Sequence, residues 1–339
     1  MPGTQPSKDS GDFARVYGNA RVLITGGIGF VGSNLARRLV DCGATVTVVD
    51  SLVPEYGGNL RNLAGIEDSV RVNISDVRDE HSMAYLVRGH DYLFNLAGQT
   101  SHLDSMQDPF TDLEINGRSQ LSILESCRKF NPDLRIVFAS TRQVYGRPQY
   151  LPVDEKHPLT PVDVNGINKL AGEWYHLLYN DVYGIPTCAL RLTNTYGPRM
   201  RVKDARQTFL GIWVRSVVEG MPFQVWGGSQ LRDFTFVDDA VDALLLAAVS
   251  DDACGKVFNV GGSPPASLRD VADLLVKVAG TGAYEVREFP PARKQIDIGS
   301  YYSDDRLMRK TLGWSPRWSL EQGLEATVEY YRANLEYYC

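Results

Sequence analysis

Short runs of apolar, largely β-branched residues alternate with segments of helical periodicity in the first half of the chain. Val31, Leu35 and Leu39 recur at intervals of four residues after the first run, which places them on one face of a helix. Strands that are apolar along their length and separated by helices are typical of a parallel sheet covered on both faces. The runs that predict strands are 21–25 (RVLIT), 45–50 (TVTVVD), 91–97 (DYLFNLA) and 135–140 (RIVFAS).

This alternation predicts an α/β fold. Right-handed crossovers between the strands give a Rossmann-type doubly wound parallel sheet, which binds ligands at the carboxyl ends of its strands. From about residue 194 the rhythm loosens, and stretches rich in Gly, Ser and Pro separate helical segments, one of which begins at Ser267 and closes at Gly280. We predict that part of this second half returns to the first domain. The predicted units are a flexible arm at 1–19, a Rossmann domain at 20–193 and a smaller mixed α/β C-terminal substrate domain at 194–339.

Composition and charge exclude several classes of protein. The 339 residues are 43% hydrophobic and 22% charged, which is typical of a globular protein with a large core. Lys and Arg number 35 against 41 Asp and Glu, and the net charge of −6 argues against binding to nucleic acid. No apolar run is long enough to span a membrane, and the first residues lack the apolar core of a signal peptide. Because the five cysteines and five histidines are scattered, we expect a cytoplasmic protein with no metal, membrane or nucleic-acid partner.

A glycine-rich segment, TGGIGFVG, follows the first predicted strand and opens the first helix. Gly26, Gly29 and Gly32 fit the spacing G-x-x-G-x-x-G, and Gly27 with the last two fits G-x-G-x-x-G. Without a Cβ the backbone can turn tightly and approach a pyrophosphate, which the helix N-terminus attracts. Asp50 ends the next strand, where a carboxylate accepts hydrogen bonds from ribose hydroxyls and repels a 2′-phosphate. No Arg follows it immediately, so the sequence predicts NAD rather than NADP.

The order of motifs along the chain resembles one family. TGGIGFVG, DVRD, FNLAGQT, VFASTRQVYG, a Lys at the start of a helix, RLTNTYGPR, QLRDFTFVDD and LGW follow one another from about residue 20 to the C-terminus. They resemble the extended short-chain dehydrogenases/reductases that act on nucleotide-diphosphate sugars, which include 4-epimerases, 4,6-dehydratases and UDP-glucuronate decarboxylases. The stretch NTYGPRM and the aromatic tail RANLEYY look most like the decarboxylases.

This resemblance implies a shared first step and a set of cofactor contacts. NAD takes hydride from carbon 4 of the sugar while a base removes the 4-hydroxyl proton, and the resulting 4-keto sugar commonly regains the hydride later. Lys169 matches the family Lys that binds the nicotinamide ribose. Asp76 matches an adenine contact, although an Asp that only forms a turn is nearly as good an interpretation. Besides the glycines and Asp50, the predicted cofactor contacts are Phe30, Val31, Asp76, Val77, Leu96, Ala97 and Lys169.

The predicted catalytic positions depart from the family at one residue. Thr141 matches the hydroxyl that hydrogen-bonds the sugar 4-oxygen. Four residues before Lys169 the family has Tyr, and this chain has Asn165, whose amide cannot take a proton as a phenolate can. Either a water held by Thr141, Asn165 and Lys169 carries the proton, or another side chain does, or the chemistry is slow. Asp163 is a nearby carboxylate, but its position predicts a helix N-cap.

Two residues after Thr141 bear on the reaction type. Gln143 cannot act as the base that 4,6-dehydratases place here, so we expect no 4,6-dehydration. Arg142 would face carbon 6, where a guanidinium can pair bidentately with the carboxylate of a glucuronate; an ion-paired surface Arg is the alternative. A β-keto acid loses carbon dioxide once carbon 4 is oxidised. The decarboxylases carry a Glu at the position of Gln143 and an Arg near Tyr301. The residues that would contact the carboxylate therefore differ in this chain from those of the decarboxylases.

The resemblance also implies a UDP-sugar site and a homodimer. Asn194, Arg232 and Arg293 match contacts to the diphosphate or ribose. Trp226 matches the segment that flanks uracil, although a core aromatic is an equal alternative. Dimers of this family form through two long helices, here about 106–130 and 165–183, whose apolar faces are equally explained by packing on the sheet. The full predicted substrate-binding set is Gln99, Thr100, Asn116, Asn194, Arg206, Trp226, Arg232, Arg293 and Tyr301.

Three functions follow from these residues. The first is an NAD-dependent UDP-glucuronate decarboxylase-like enzyme that yields UDP-4-keto-pentose and/or UDP-xylose. The second is a 4-epimerase acting on a UDP-linked hexose or uronate. The third is a nucleotide-sugar-binding protein that lost catalysis together with the family tyrosine.

Overall fold

The computed structural model describes residues 10–206, 208–261, 264–289 and 297–339. The strands within these ranges are β1 (Arg21–Thr25), β2 (Thr45–Asp50), β3 (Val70–Ile74), β4 (Tyr92–Asn95), β5 (Arg135–Thr141), β6 (Thr187–Leu192), β7 (Thr195–Tyr196), β8 (Pro222–Trp226), β9 (Leu231–Arg232), β10 (Thr235–Phe236), β11 (Val257–Val260), β12 (Ala266–Ser267) and β13 (Ala283–Arg287). The α-helices are α1 (Ser10–Tyr17), α2 (Phe30–Asp41), α3 (Glu80–Leu86), α4 (His102–Gln107), α5 (Pro109–Leu113), α6 (Ser119–Phe130), α7 (Val164–Tyr183), α8 (Phe209–Val218), α9 (Val237–Val249), α10 (Leu268–Ala279), α11 (Arg306–Leu312) and α12 (Leu320–Asn334).

A parallel sheet with helices on both faces forms the centre of the molecule and confirms the Rossmann-type fold. In the part of the chain described, its seven strands lie in the order β3-β2-β1-β4-β5-β6-β11. The four strands predicted from the sequence are β1, β2, β4 and β5. The pattern did not indicate β3 and β6, because Arg71 and Asn73 interrupt the first and Arg191 the second. The last strand, β11, comes from the second half and pairs with β6.

Smaller pairs of strands build the second half. β8 pairs with β13 in parallel, β9 with β12 antiparallel, and β7 with β10 in parallel. The C-terminal aromatic tail packs back on the first half, where the Tyr338 hydroxyl donates to Oδ1 of Asn62 at 2.6 Å. The boundary between residues 193 and 194 stays a prediction. None of the helices in the described ranges combines the length and apolar character needed to cross a membrane.

Local capping explains where the helices begin. Ser267 and Asp270 form a capping box at the start of α10, and Gly280 in the left-handed conformation ends it, as predicted. The continuous helix expected at about 106–130 is interrupted, because α4 ends at Gln107 and Pro109 begins α5. A π-helical turn at Glu114–Arg118 then leads into α6.

A buried ion pair joins α7 to the sheet. Arg191 on β6 pairs with Glu173 on α7 at 2.5 Å, and their side chains are 3% and 1% exposed. Glu173 also accepts from the Ser140 hydroxyl on β5 at 2.7 Å. Arg191 donates to the Tyr145 hydroxyl, which in turn donates to Asn259 on β11. Four elements are therefore tied to one pair of charges.

Removing one of these charges leaves the other buried without compensation. We expect Glu173→Gln to lower the free energy of unfolding by about 3–5 kcal/mol in urea denaturation, since a lone buried guanidinium is costly. Glu329→Gln on the exposed face of α12 is the matched control and should change it by no more than about 0.5 kcal/mol. Equal stability of the two variants would contradict this role for the ion pair.

Candidate functional site

A cleft opens at the carboxyl ends of β1, β2, β4 and β5, and the glycine-rich turn forms its floor. Gly26 has φ +69°, and a Cβ there would lie 3.0 Å from Cα of Ala97. A Cβ on Gly32 would lie 2.2 Å from the carbonyl oxygen of Gly26. Gly29 stands at the N-cap of α2, and no side chain caps that helix end. The turn therefore fits glycine only and leaves backbone N–H groups free for a pyrophosphate.

Two carboxylates lie at one end of this cleft. Asp50 accepts from the backbone N–H of Ile28 at 3.2 Å and of Leu52 at 3.0 Å. Burial raises the pKa of Asp50, while these donors oppose the shift. Each of its oxygens keeps a lone pair that can accept from a ribose hydroxyl. Asp76 forms a turn with Arg78, and the side-chain hydrogen bond from Arg78 lowers the pKa of Asp76. Asp76 also lines the cleft, so both interpretations of it stand.

The remaining predicted cofactor residues lie along the same cleft. Lys169 is buried on α7, and its Nζ donates to the carbonyl oxygen of Ala139 at 3.2 Å. Burial lowers the pKa of Lys169 to about 8, and the nearby charge of Asp112 opposes this shift. The ammonium has three N–H groups, so it can also donate to a bound ribose. The cleft is further lined by Phe30, Val31, Val77, Leu96, Ala97, Gln99, Thr100 and Thr141.

Asn165 belongs to a cluster of amides around a buried carboxylate. Its Nδ2 donates to Asp112 at 3.0 Å and to the carbonyl oxygen of Gln99 at 2.7 Å. Asn168 and Asn116 donate to the same carboxylate at 2.8 and 3.0 Å. The sequence predicts Asn116 as a sugar contact, but the π-helical turn directs it to Asp112, and it lines neither cleft. Asn165 lines the cofactor cleft and is held within this cluster, and its amide cannot take up a proton.

His102 occupies a place that the sequence does not single out. Its Nδ1 lies 3.0 Å from Oδ2 of Asp163, and its Nε2 lies 2.9 Å from Nε2 of Gln143. Asp163 caps α7 as predicted, through Gly166 at 2.7 Å. Burial raises the pKa of Asp163, but the contact with His102 and the cap bring it below its usual value. The sequence signal that could have indicated His102 was its position in the segment that follows β4 and contains Thr100.

A second cleft continues from the first and is lined by guanidinium groups. His102, Arg142 and Asn194 line both clefts. Arg142 donates to Oδ1 of Asn194 at 3.3 Å, and its guanidinium lies 5.3 Å from the ring centroid of Tyr301. Its Nη1 is inaccessible to solvent and has no hydrogen-bond partner among the described residues. Burial lowers the pKa of Arg142, while nearby Tyr301 and carboxylates oppose the shift.

Arg232 is the second cation of this cleft. It donates to the backbone carbonyl of Leu231 at 2.9 Å, and its Nη2 lies 3.6 Å from Asp297. Burial and then the charge of Arg142 lower the pKa of Arg232 to about 10. Two guanidinium groups in one cleft, close enough that the charge of Arg142 lowers the pKa of Arg232, favour an anionic ligand.

The other predicted substrate residues are divided. Arg206 lines the second cleft and pairs with Asp104 at 3.0 Å. Trp226 lines it beside Phe289. Tyr301 does not reach either cleft, because its side chain is fully buried in an apolar cluster beneath Arg142. Arg293 lies outside the described residues.

The geometry of the two clefts defines a class of protein. A glycine cradle at a helix N-terminus, with a strand-end Asp beside it, belongs to a dinucleotide-binding α/β protein. The adjoining cleft, with its two guanidinium groups, is suited to an anionic ligand. Thr141 and Lys169 line the first cleft, and Arg142 lines both.

The chain belongs to the NAD dependent epimerase/dehydratase family, whose model matches residues 22–261. A UDP-glucose 4-epimerase of Mycolicibacterium smegmatis is 32% identical over 317 residues, 92% of this chain and 98% of that protein. UDP-glucuronic acid decarboxylase 1 of Xenopus tropicalis is 30% identical over 328 residues, 94% of this chain and 73% of that protein. The crystal structure of a Thermotoga maritima UDP-glucose 4-epimerase with UDP-glucose has a TM-score of 0.84 at 30% identity, covering 93% of this chain and 99% of that one.

The chain is thus an enzyme of a nucleotide-sugar family, and its cofactor is NAD. The first cleft fits that cofactor, because the space above Gly26 and Gly32 excludes side chains and Asp50 has free lone pairs. When bound, NAD supplies a hydride acceptor.

Lys169 gives this cofactor site a pH dependence. We expect the affinity for NAD to fall as the pH rises through about 8, because the uncharged amine is a weaker donor than the ammonium. Lys169→Met should bind NAD more weakly at every pH and show no such transition. Calorimetric titrations between pH 6.5 and 9.5 measure both, and an identical transition in the variant would assign it to another group.

Proposed function

We propose that this enzyme oxidises carbon 4 of a UDP-linked uronic acid, with UDP-glucuronate as the first candidate. Carbon dioxide is then lost from the 4-keto acid, which yields UDP-4-keto-pentose and, if hydride returns, UDP-xylose. The observation that carries this proposal is the Arg142 guanidinium, whose Nη1 is buried without a protein partner in the described residues.

Arg142 fits a carboxylate better than a neutral hydroxymethyl group. Its contacts in the described residues are one hydrogen bond to Asn194 and the ring of Tyr301, neither of which neutralises its charge. Leaving an N–H of a cation buried and unsatisfied costs free energy that a bound carboxylate would recover. The planar guanidinium also matches the two oxygens of a carboxylate.

The other residues fit the remaining parts of such a substrate. Arg232, fixed by Asp297 and backbone carbonyls, is suited to the diphosphate. Trp226 and Phe289, on the wall of the same cleft, offer an apolar surface to the base, and the Thermotoga maritima relative was crystallised with UDP-glucose. Thr141 can donate its hydroxyl proton to the sugar 4-oxygen, and Lys169 can hold the nicotinamide ribose.

Loss of carbon dioxide needs no base at carbon 5, because the 4-ketone accepts the electron pair of the breaking C5–C6 bond. The resulting enolate then takes a proton at carbon 5, which solvent water can supply. Gln143 cannot exchange a proton, so this site does not supply what 4,6-dehydration requires. The similarity to a UDP-glucuronic acid decarboxylase over 94% of the chain supports the same outcome.

A 4-epimerase is the second candidate, and Arg142 itself favours it. An ion pair stabilises the carboxylate and therefore opposes its departure as neutral carbon dioxide. The 4-keto uronate would then survive until hydride returned to its other face. Similarity to UDP-glucose 4-epimerases supports this outcome.

We also propose that the enzyme is a homodimer that pairs the surfaces of α5–α7. Large apolar side chains lie exposed there at helical spacing. They are Phe110, Leu113, Leu121, Trp174 and Leu178.

A charge in this surface should separate the two copies. Leu178 is 51% exposed, so it contributes little to the core of one chain. We expect Leu178→Asp to halve the mass measured by light scattering, because it places a carboxylate in the apolar contact. The matched variant Tyr85→Asp, at a 77% exposed position on α3, should keep the wild-type mass. An unchanged mass for Leu178→Asp would contradict the proposed interface.

Incubation with three sugar nucleotides tests the proposed reaction. We expect UDP-glucuronate, and not UDP-glucose or UDP-N-acetylglucosamine, to be converted with loss of carbon dioxide, as followed by mass spectrometry and NADH absorbance. Unchanged mass with inverted carbon 4 would favour the epimerase. Binding of NAD and UDP without turnover of any of the three would favour a protein that has lost catalysis.

Arg142→Met is the matched variant for this experiment. It removes the charge and keeps the length of the side chain, so kcat/KM for the uronate should fall by about 30-fold or more, the value of a charged hydrogen bond. Any slow turnover of UDP-glucose should fall much less. An equal loss for both substrates would contradict recognition of the carboxylate by Arg142.

A further inference from the structure

The proposed oxidation requires a group that removes the proton of the 4-hydroxyl. The residue at the family tyrosine position, Asn165, has only an amide, and that amide is held by Asp112 and the carbonyl of Gln99. Lys169 has a pKa of about 8 and is charged at neutral pH, so it is a donor. Another side chain must accept the proton.

Most proton acceptors of the described clefts are unsuited to this task. Asp50 and Asp76 follow β2 and β3 and lie at the other end of the cofactor cleft. Burial raises the pKa of Tyr56, which lies near Asp76. Asp297 is paired with an arginine, and Asp112 is fully buried among amides.

His102 has the position that the task requires. It begins α4 and lines both clefts, together with Thr141 on the cofactor side and Arg142 on both. Its side chain is 34% exposed, so a ligand can reach it. Asp163 is 1% exposed, and its two oxygens are divided between the N–H of Gly166 and Nδ1 of His102.

These contacts select one form of the imidazole. A carboxylate oxygen 3.0 Å from Nδ1 favours the ring proton on that nitrogen, although the two atoms are not aligned as a hydrogen bond, and this form leaves Nε2 as the acceptor. The amide of Gln143 donates to this Nε2 at 2.9 Å, while its Oε1 is buried with no partner in the described part of the chain. A histidine oriented by a buried aspartate, with its second nitrogen toward a cleft, has the arrangement of a general base.

We propose that His102 is the general base for the sugar 4-hydroxyl, oriented by the positioning residues Asp163 and Gln143. This inference rests on the proposed oxidation at carbon 4 and assigns the proton acceptor that Asn165 cannot be.

The oxidation moves one proton and one hydride away from the sugar. The O–H bond breaks and its proton passes to Nε2 of His102, directly or through Thr141, while the oxygen electrons form the C4=O bond. The hydride of carbon 4 leaves to NAD. When hydride returns, His102 gives the proton back to the oxygen. Once Nε2 carries a proton, Gln143 can turn its amide and accept with Oε1, so either form of the ring has a partner.

General base catalysis makes this step dependent on pH. Asp163 on α7 faces Nδ1 of His102, and Arg142 after β5 and Lys169 line the same cofactor cleft. On the helix of His102, Asp104 is paired with Arg206. The rate of hydride transfer should fall at low pH, because a general base must be unprotonated before the substrate reacts.

Single-turnover formation of NADH, measured against pH with the substrate that the wild-type enzyme oxidises, tests the proposal. We expect His102→Gln to lose about 100-fold or more in rate, the typical value of general base catalysis, and to lose the fall at low pH. The Kd values for NAD and for the sugar nucleotide should stay within about twofold of wild type. His102→Ala should regain rate with added imidazole, which a merely structural histidine would not allow.

Two further variants complete the design. Asp163→Asn can still cap α7, since Asn is a good N-cap, and should lower the rate of NADH formation without changing the Kd for NAD, because the carboxylate that orients the ring is lost. His81→Gln, at an exposed position on α3, should behave as wild type. Wild-type rate and pH profile in His102→Gln would overturn the proposal while leaving the oxidation at carbon 4 intact.

The proposed function would be refuted if no sugar nucleotide reduced NAD. The assignment of His102 can still be tested in that case. Nitrogen NMR of the NAD complex should show neutral His102 protonated on Nδ1, with Nε2 free. Protonation on Nε2 instead would overturn the assignment of His102 as a base.

Discussion

The ion pair between Glu173 and Arg191 is the interaction on which the candidate site depends. It fixes α7 against β5 and β6, and through Tyr145 and Asn259 it reaches β11. The start of α7 carries the amide and the lysine that line the cofactor cleft, and the cap that contacts His102. Because a buried pair of charges tolerates little displacement, these groups hold their positions relative to the strand ends.

Asn165, which stands where the family has a tyrosine, is part of a buried cluster of hydrogen bonds. Asn165 is one of three asparagines that donate to the buried carboxylate of Asp112. A carboxylate so enclosed needs its donors, so the amide is required where it stands. A tyrosine there would withdraw one donor from Asp112. The departure from the family pattern is therefore tied to the packing at the start of α7, and in our proposal proton transfer falls to His102, which contacts the cap of the same helix.

The parts of this structure that the sequence predicts are those encoded by neighbouring residues. The strands β1 and β2, the glycine turn and the cap at Asp163 each follow from a short pattern of apolar, small or capping residues. The apolar pattern did not predict β6, because Arg191 interrupts it. The charge of Arg191 is paired with Glu173 on α7. The burial of Tyr301 and the contact of His102 with Asp163 depend on segments distant in sequence, for which no local pattern exists. Asn116 is turned away from the clefts by a π-helical turn, which residue propensities do not predict.

The two arginines of the second cleft, Arg142 and Arg232, differ in how firmly protein contacts hold them. Arg232 is fixed by Asp297 and by backbone carbonyls, so it offers a constant charge to any sugar nucleotide. Arg142 contacts a tyrosine ring and one amide, and it lies close enough to Arg232 to lower the pKa of that residue. In the proposed function, an anion at carbon 6 would relieve the cost of burying the Arg142 guanidinium, whereas a neutral sugar would not. We therefore expect discrimination between sugars to depend on Arg142 and affinity for the nucleotide to depend on Arg232.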